Sequence, residues 1–218
     1  MKRLLIFDWD GTLMDSTAQI VQTLRLAAQD CAMAVPEPAA ILHIIGLSLD
    51  VAMGILFPAS SEQQRQDLIA AYARRFVAGD GGQAGLYEGA RDLLSALHPQ
   101  VDLAVATGKS RRGLDRVMQE QDVAAYFRVS RCADESASKP DPRMLYDILD
   151  ALGHEPESAI MVGDTCYDLA MARAAGMPAI GVSWGAHERQ LLLAEKPLCV
   201  LDSMRSLRHY LLDAVGGG

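Results

Sequence analysis

The sequence lacks a hydrophobic run long enough to cross a membrane, and it lacks closely spaced cysteines. No segment approaches the ~20 consecutive apolar residues that a transmembrane helix needs. The apolar run near the N-terminus, Leu4–Phe7, is also too short for the core of a signal peptide. The four cysteines of the 218 residues are far apart and form no CxxC pair, which disfavours a zinc or redox motif. We therefore expect a cytoplasmic protein with reduced cysteines and no membrane partner.

Basic residues are fewer than acidic ones: the chain has 20 Lys and Arg and 28 Asp and Glu, which gives a net charge of -8. Nucleic-acid backbones select basic faces, so this balance disfavours nucleic acid as a partner. The five histidines show no metal-ligand spacing, and we expect them at the surface. For the oligomeric state we expect a monomer or a weak dimer.

Short apolar runs alternate with amphipathic stretches along most of the chain, as is typical of βαβ units. The pattern predicts an α/β fold, with a Rossmann-like parallel sheet core and helices on both faces. The predicted strands are Leu4–Asp8, Val101–Thr107, Phe127–Cys132, Ala159–Gly163, Ala179–Val182 and Leu198–Leu201. The predicted helices of this core are Glu88–Leu97, Arg111–Gln121, Pro142–Leu152, Tyr167–Ala175, His187–Leu193 and Met204–Ala214.

The stretch from Thr17 to about Ala78 has helical periodicity and no convincing strand. A block of helices therefore interrupts the α/β pattern between its first and second strands. We predict a catalytic core of residues 1–15 and 84–218 and an inserted all-α cap domain of residues 16–83 with flanking hinges. The glycine-rich residues 79–82 are the candidate for the second hinge.

Polar residues follow several of the predicted strands. Asp8 and Asp10 end the first strand, Thr107 ends the second, and Asp164 follows the fourth, with Asp168 four residues later. Because parallel strands in βαβ units end on one edge of the sheet, these side chains are expected to converge there.

The chemistry of this set indicates a metal and phosphate site. Lys139, which precedes the helix leading to the Asp164 strand, and one divalent cation would relieve the repulsion among the four carboxylates. Oxygen ligands without histidine or thiolate suit Mg²⁺ better than zinc. Cation, lysine, the Thr107 hydroxyl and free backbone amides could bind a phosphate. An aspartate in such a site can attack phosphorus, and a second acid can protonate the leaving oxygen and then deprotonate water.

Four segments in this order resemble the haloacid dehalogenase superfamily phosphatases that carry a helical cap after the first strand, of the phosphoglycolate phosphatase type. The segments are residues 8–13 (DWDGTL), the strand end at Thr107, Lys139-Pro140 and residues 163–168 (GDTCYD). The resemblance implies a Mg²⁺-dependent phosphatase that hydrolyses a small phosphorylated metabolite through an aspartyl phosphate.

The resemblance also implies a role for each residue. Asp8 would be the nucleophile and a metal ligand, and Asp10 the general acid/base with its backbone carbonyl on the metal. Lys139 would hold the nucleophile and the phosphoryl group, and Thr107 would bind phosphate. Asp164 would complete the metal site, and Asp168 would support it from the second shell or through water.

Substrate-binding candidates lie in the motifs and in the cap. They are Gly11, Thr12, Thr107, Gly108, Lys109 and Gly46. The cap loop 44–49 is almost wholly apolar, and no cationic partner for a substrate carboxylate is obvious there; Arg74 is on a different predicted helix. Lys109, Arg111 and Arg112 stand at a helix start, where positive charge opposes the helix dipole, so either a nearby anion or simple solvation would account for them.

Three other functions share parts of this pattern. A phosphosugar mutase of the β-phosphoglucomutase type would use the same aspartyl phosphate and return the phosphoryl group to the substrate, and an inorganic pyrophosphatase is a further enzymatic alternative. A non-catalytic phospho-receiver domain also combines aspartates, a threonine and a lysine. Its residue order differs, however, and it has no place for a helical insertion.

Overall fold

A computed structural model describes residues 3–216 and contains one six-stranded sheet in that range, in which every strand pairing is parallel. The strands are β1 (Leu4–Phe7), β2 (Asp102–Thr107), β3 (Val129–Cys132), β4 (Ala159–Gly163), β5 (Ala179–Val182) and β6 (Cys199–Leu201). Their order across the sheet is β3-β2-β1-β4-β5-β6, so β1 lies in the middle between β2 and β4.

Helices cover both faces of this sheet, which confirms the predicted α/β fold. Because successive side chains of a strand point to opposite faces, Leu5 and Phe7 of β1 belong to one apolar cluster, and Leu4 and Ile6 belong to the other. The first cluster includes helices α5 (Ala90–Leu97), α6 (Arg111–Glu120) and α10 (Met204–Gly216). The second includes α7 (Arg143–Leu152), α8 (Cys166–Ala174) and α9 (Arg189–Ala194).

The stretch predicted to be helical lies between β1 and α5 and contains four helices. They are α1 (Thr17–Asp30), α2 (Pro38–Ile44), α3 (Leu49–Leu56) and α4 (Glu62–Ala78). Their buried side chains, such as Leu24, Ile41 and Leu68, form a third apolar cluster of their own. We call residues 17–78 the cap. The domain boundaries at 16 and 83 stay predictions, and residues 1, 2, 217 and 218 of the predicted core lie outside the described residues.

Local sequence signals explain where several helices begin and end. Ser61 and Gln64 form a reciprocal capping box at the start of α4, and Gly79 ends that helix in the left-handed conformation. Pro142 was expected as the first residue of α7, but it lies one position before that helix. The Asp141 carboxylate accepts a hydrogen bond from the Arg143 amide at 2.9 Å and so still caps the helix start. Among the described residues, no helix is both long and apolar enough to span a membrane.

Candidate active site

The central position of β1 brings polar residues from three strands together at the carboxyl edge of the sheet. Asp8 follows β1 directly, Thr107 ends the neighbouring β2, and Asp164 follows the neighbouring β4. All three side chains are buried, and the Asp8 amide donates a hydrogen bond to the Val162 carbonyl at 2.9 Å. The site therefore rests on the hydrogen-bonded backbone of the sheet.

Lys139 joins two of the acids. Its ammonium group lies 2.6 Å from Asp8 Oδ1 and 2.6 Å from Asp168 Oδ1, and its side chain is completely buried. Burial alone would lower the pKa of Lys139, but Asp168 and Asp8 raise it above its ordinary value. Lys139 is therefore a buried, permanently charged bridge between the end of β1 and the first turn of α8.

Asp164 is held from two sides. Its Oδ1 accepts a hydrogen bond from the Thr12 hydroxyl, and its Oδ2 accepts one from the Ala186 amide, both at 2.7 Å. Two glycines make room for this carboxylate, because a Cβ on Gly11 or on Gly185 would lie 2.2 or 2.1 Å from Asp164 Oδ2. Gly11 also has a φ of +84°, which other residues rarely adopt.

Three carboxylates form a cluster with the geometry of a cation site. One oxygen each from Asp8, Asp164 and Asp168 lies within 4.8 Å of the others, and all three residues are buried. Burial raises the pKa of Asp8 well above its ordinary value; Lys139 lowers it, and Asp168 and Asp164 raise it further. Burial, followed by repulsion from Asp168, raises the pKa of Asp164 to about 7. One lysine therefore does not balance the three acids.

The donor set fits a hard divalent cation. Asp8 Oδ2 is buried and has no hydrogen-bond partner, although its twin oxygen is bound by Lys139. A buried acceptor without a partner costs free energy unless something else satisfies it. The three residues offer carboxylate oxygens alone, which is the chemistry that Mg²⁺ prefers.

Asp10 lies apart from the three-acid cluster and has its own partners. The Ser16 hydroxyl donates to Asp10 Oδ1 at 2.6 Å, and the Lys109 ammonium lies 2.9 and 3.0 Å from its two oxygens. Lys109 also lies 4.7 Å from the centre of the Phe76 ring on α4, so it connects Asp10 with the cap. Lys109 was a substrate-binding candidate, and in the structure its ammonium group is bound to Asp10.

The loop after α2 lies directly against the core. Gly108 has no room for a side chain, because a Cβ there would lie 2.6 Å from the Gly46 carbonyl oxygen and 2.7 Å from that of Leu47. The Ser48 amide donates to Ser138 Oγ at 2.9 Å. The cap loop 46–48 is therefore docked beside Thr107 and Gly108.

Two further residues hold the cap and were missed in the sequence. The Tyr167 hydroxyl and His187 Nε2 both lie near the His43 carbonyl oxygen, at 2.9 and 3.1 Å. Because the Cys166 amide donates to His187 Nδ1, the ring proton of neutral His187 lies on Nε2 and points to that carbonyl. The expected surface position is wrong for His187, which is 4% exposed, and burial lowers its pKa.

A cavity of about 660 Å³ opens between the cap and the core beside Asp8, Asp10 and Thr107. Gly46, Gly108 and Lys109, which were substrate-binding candidates, line it as well. Two other candidates do not line it: Gly11 packs against Asp164, and the Thr12 hydroxyl is bound to the same carboxylate. Their contacts indicate a supporting role for the acid cluster.

The cap contributes apolar side chains to this cavity, among them Ile20, Ile44, Ile45, Leu47, Tyr72 and Phe76. The core helix α6 contributes Arg112 and Arg116, and α4 contributes Arg74. The apolar character expected of the cap loop is therefore accompanied by cations that come from other elements. Nothing near the loop in sequence indicated them.

Comparison with known proteins agrees with this geometry. A family model described as haloacid dehalogenase-like hydrolase matches residues 5–182, most of the chain. The chain belongs to this family. The match begins in β1 and ends with β5, so it includes the cap and all of the acids described above.

Curated relatives match nearly the full length of the chain. A protein named probable phosphatase IndB from Dickeya dadantii is 36% identical over 211 residues, which cover 93% of this chain and 90% of that protein. A phosphoglycolate phosphatase from Agrobacterium fabrum is 29% identical and covers 96% and 92%. Among solved structures, a predicted phosphoglycolate phosphatase from Haemophilus somnus superposes with a TM-score of 0.87 at 20% identity, covering 96% of this chain and 98% of that one. This last likeness supports the fold.

Proposed function

We propose that this chain is a Mg²⁺-dependent phosphatase that hydrolyses a phosphomonoester through an aspartyl phosphate on Asp8. One observation carries the proposal: Asp8 is held by Lys139 through Oδ1, while its Oδ2 is buried without a partner in the cluster with Asp164 and Asp168. Asp8 also lines the cavity together with Asp10. The two curated relatives described above are both named phosphatases, which agrees with this chemistry.

Asp8, Asp164 and Asp168 would hold the cation. A bound Mg²⁺ would neutralise part of their charge and that of a phosphate group. Thr12, Ala186 and Lys139 keep the carboxylates in place, since each donates a hydrogen bond to one of them. Residues that orient metal ligands in this way tune both affinity and activity.

In the first step, an oxygen of the Asp8 carboxylate attacks phosphorus, and the bond between phosphorus and the leaving oxygen breaks. The electron pair of that bond passes to the leaving oxygen, which takes a proton from the Asp10 carboxyl group. Thr107 and the amides after β2 would bind the non-bridging oxygens, and the buried Lys139 would stabilise charge on Asp8 and on the phosphoryl group.

In the second step, Asp10 takes a proton from a water molecule whose oxygen attacks phosphorus. The bond between phosphorus and the Asp8 oxygen breaks, which releases phosphate and regenerates the carboxylate. In the structure the Lys109 ammonium donates a hydrogen bond to each oxygen of Asp10, so neither oxygen is free to face the leaving group. The first step therefore requires Lys109 to release at least one of these hydrogen bonds.

We further propose that residues 16–83 act as a cap over this chemistry. Three contacts from the core hold its loop, through Ser138, Tyr167 and His187. A docked cap excludes water from the cavity and strengthens the electrostatic interactions inside it.

The direct test is phosphate release from a panel of phosphomonoesters, with pyrophosphate included, by the wild-type protein and by Asp8→Asn. We expect Mg²⁺-dependent hydrolysis of at least one monoester by the wild type. Asp8→Asn should lose at least about 10⁴-fold in kcat while keeping its far-UV circular dichroism, because the nucleophile is removed and the volume is kept. Near-normal turnover by the variant would refute the role of Asp8. Transfer of the phosphoryl group to a sugar phosphate instead of water would show a mutase.

A further inference from the structure

The cavity extends well beyond the space that a phosphate group and two or three carbon atoms require. Its volume of about 660 Å³ lies in the range of about 300–1,000 Å³ found for sites that enclose drug-sized ligands. It contains Asp8 and Asp10, so it includes the place where phosphoryl transfer would occur. The remainder is available to the leaving group of the substrate.

The cap side of this remainder is apolar and partly aromatic. Ile44 and Ile45 at the end of α2 and Leu47 in the docked loop are buried. Tyr72 and Phe76 lie one turn apart on α4, with ring centres 5.6 Å apart. All five line the cavity. A leaving group rich in hydroxyls would lose hydrogen bonds to water here without replacement, whereas an apolar ring or chain would bury its surface favourably.

The core side of the cavity carries cations that have few partners. Arg112 and Arg116 are four residues apart on α6, so they lie side by side on one helix face, an arrangement that disfavours two like charges. Within residues 3–216, no carboxylate forms an ion pair with Arg112. Arg116 Nε is buried without a hydrogen bond, and Glu120 lies 3.7 Å from it.

Arg111, on the same turn of α6, differs from Arg112 and Arg116 in having several carboxylate partners. It bonds both oxygens of Glu135 and also Asp115, and it does not line the cavity. The two arginines of α6 that line the cavity, Arg112 and Arg116, lack such hydrogen bonds, although the guanidinium carbon of Arg116 lies 5.6 Å from the centre of the Phe76 ring. This distribution favours an anion in the cavity over simple solvation of a basic face.

We propose that the substrate is a phosphomonoester whose leaving group has an apolar body of about the size of an aromatic ring and carries a second anionic group. The ring would lie against Tyr72 and Phe76, and the anion would be bound by Arg112 and Arg116. The proposal rests on the phosphatase function above and specifies the chemistry of its substrate. It disfavours sugar phosphates and two-carbon substrates as the preferred ones.

Four phosphate esters of primary alcohols separate the two parts of this proposal. Ethyl phosphate has neither feature, phosphoglycolate has the anion, benzyl phosphate has the ring, and carboxybenzyl phosphate (the better of the 3- and 4-isomers) has both. Because the alcohols have similar leaving ability, differences in kcat/KM report binding in the cavity. We expect carboxybenzyl phosphate to exceed benzyl phosphate, and benzyl phosphate to exceed ethyl phosphate, each by on the order of tenfold, the effect of one good contact.

Arginine variants test the anion site. Arg112→Gln and Arg116→Gln should each lower the ratio of kcat/KM for carboxybenzyl phosphate over benzyl phosphate by about tenfold. The control Arg208→Gln removes an equal charge from the exposed side of α10 and should leave the ratio unchanged. Circular dichroism checks the fold of each variant.

The outcomes distinguish this proposal from the phosphatase assignment. If none of the monoesters is hydrolysed in Mg²⁺, including the wider panel above, the phosphatase assignment fails. If monoesters are hydrolysed but phosphoglycolate or ethyl phosphate equals the ring-containing esters, the proposed substrate class is wrong. If both arginine variants keep the wild-type ratio, the anion site is wrong.

Discussion

Replacement of Gly108 by alanine tests whether the docked cap is required for activity without removing any chemical group. A Cβ at this position would lie 2.6 Å from the Gly46 carbonyl oxygen and 2.7 Å from that of Leu47, whereas ordinary contacts begin near 3.4 Å. Both neighbours are backbone atoms, so no rotation of a side chain can relieve the overlap. The cap loop must therefore move away by most of an ångström.

The cost follows from the contacts that this loop makes. Ser138, Tyr167 and His187 contribute three hydrogen bonds between the core and the segment 43–48. At about 1 kcal/mol for each net hydrogen bond, loss of all three would disfavour the docked state by about 3 kcal/mol, or on the order of 100-fold in population. Because the loop can keep some of them, we expect kcat/KM to fall by between about tenfold and about 100-fold.

Steady-state kinetics measures the activity, and hydrogen exchange of amides 46–48 measures how well the cap loop is docked. Gly108→Ala should lose kcat/KM and exchange protection together, with the secondary structure intact. Gly54→Ala is the matched control, since a Cβ there meets nothing within 4 Å. Alanine in that helix should raise the stability by about 0.5–1 kcal/mol and leave kcat/KM unchanged. Wild-type activity and protection in Gly108→Ala would show that loop docking does not matter.

Three further predictions concern the acid cluster. Lys139→Met leaves Asp8 and Asp168 buried without their shared cation, so urea denaturation in EDTA should show a loss of about 3–5 kcal/mol, partly restored by Mg²⁺; an unchanged stability would contradict the bridge. Since burial raises the pKa of Asp164 to about 7, Mg²⁺ binding must release protons, and calorimetry should show affinity rising from about pH 6 to about pH 8; a constant affinity would contradict this. Thr12→Val removes a hydrogen bond to Asp164, and Mg²⁺ affinity should fall by about 10–100-fold in the same assay, whereas wild-type affinity would refute the role of Thr12.

The sheet and its acids were predictable because they depend on local patterns. Apolar runs mark the strands, and parallel strands end on one edge, so the sequence alone indicates that Asp8, Thr107 and Asp164 meet. The helical insertion was predictable for the same reason, since its periodicity differs from that of the strands. The Ser61–Gln64 capping box is likewise a short-range signal, and it lies at the start of α4.

Other features depend on how distant segments pack, and no short pattern encodes them. Gly185 and Ala186 support Asp164 from a loop after β5, and His187 reaches the cap only because that loop folds over α8. Arg116 is a surface residue by its sequence context and becomes a cavity residue through the position of α4. Lys109 binds Asp10, which lies 99 positions earlier in the chain.

The cavity is built by two parts of the chain that are separate in sequence, and this has a consequence for how new specificities arise. A chimera that places residues 16–83 of this chain in a relative would carry Tyr72 and Phe76 with it. Arg112 and Arg116 would not be transferred, because they lie outside that segment. Such a chimera would combine the apolar cap residues of one parent with the α6 residues of the other, so it would fit the leaving group of neither parent completely. Substrate preference in this architecture is therefore expected to evolve through paired changes in the insertion and in α6, and exchange of the insertion alone should yield generalists.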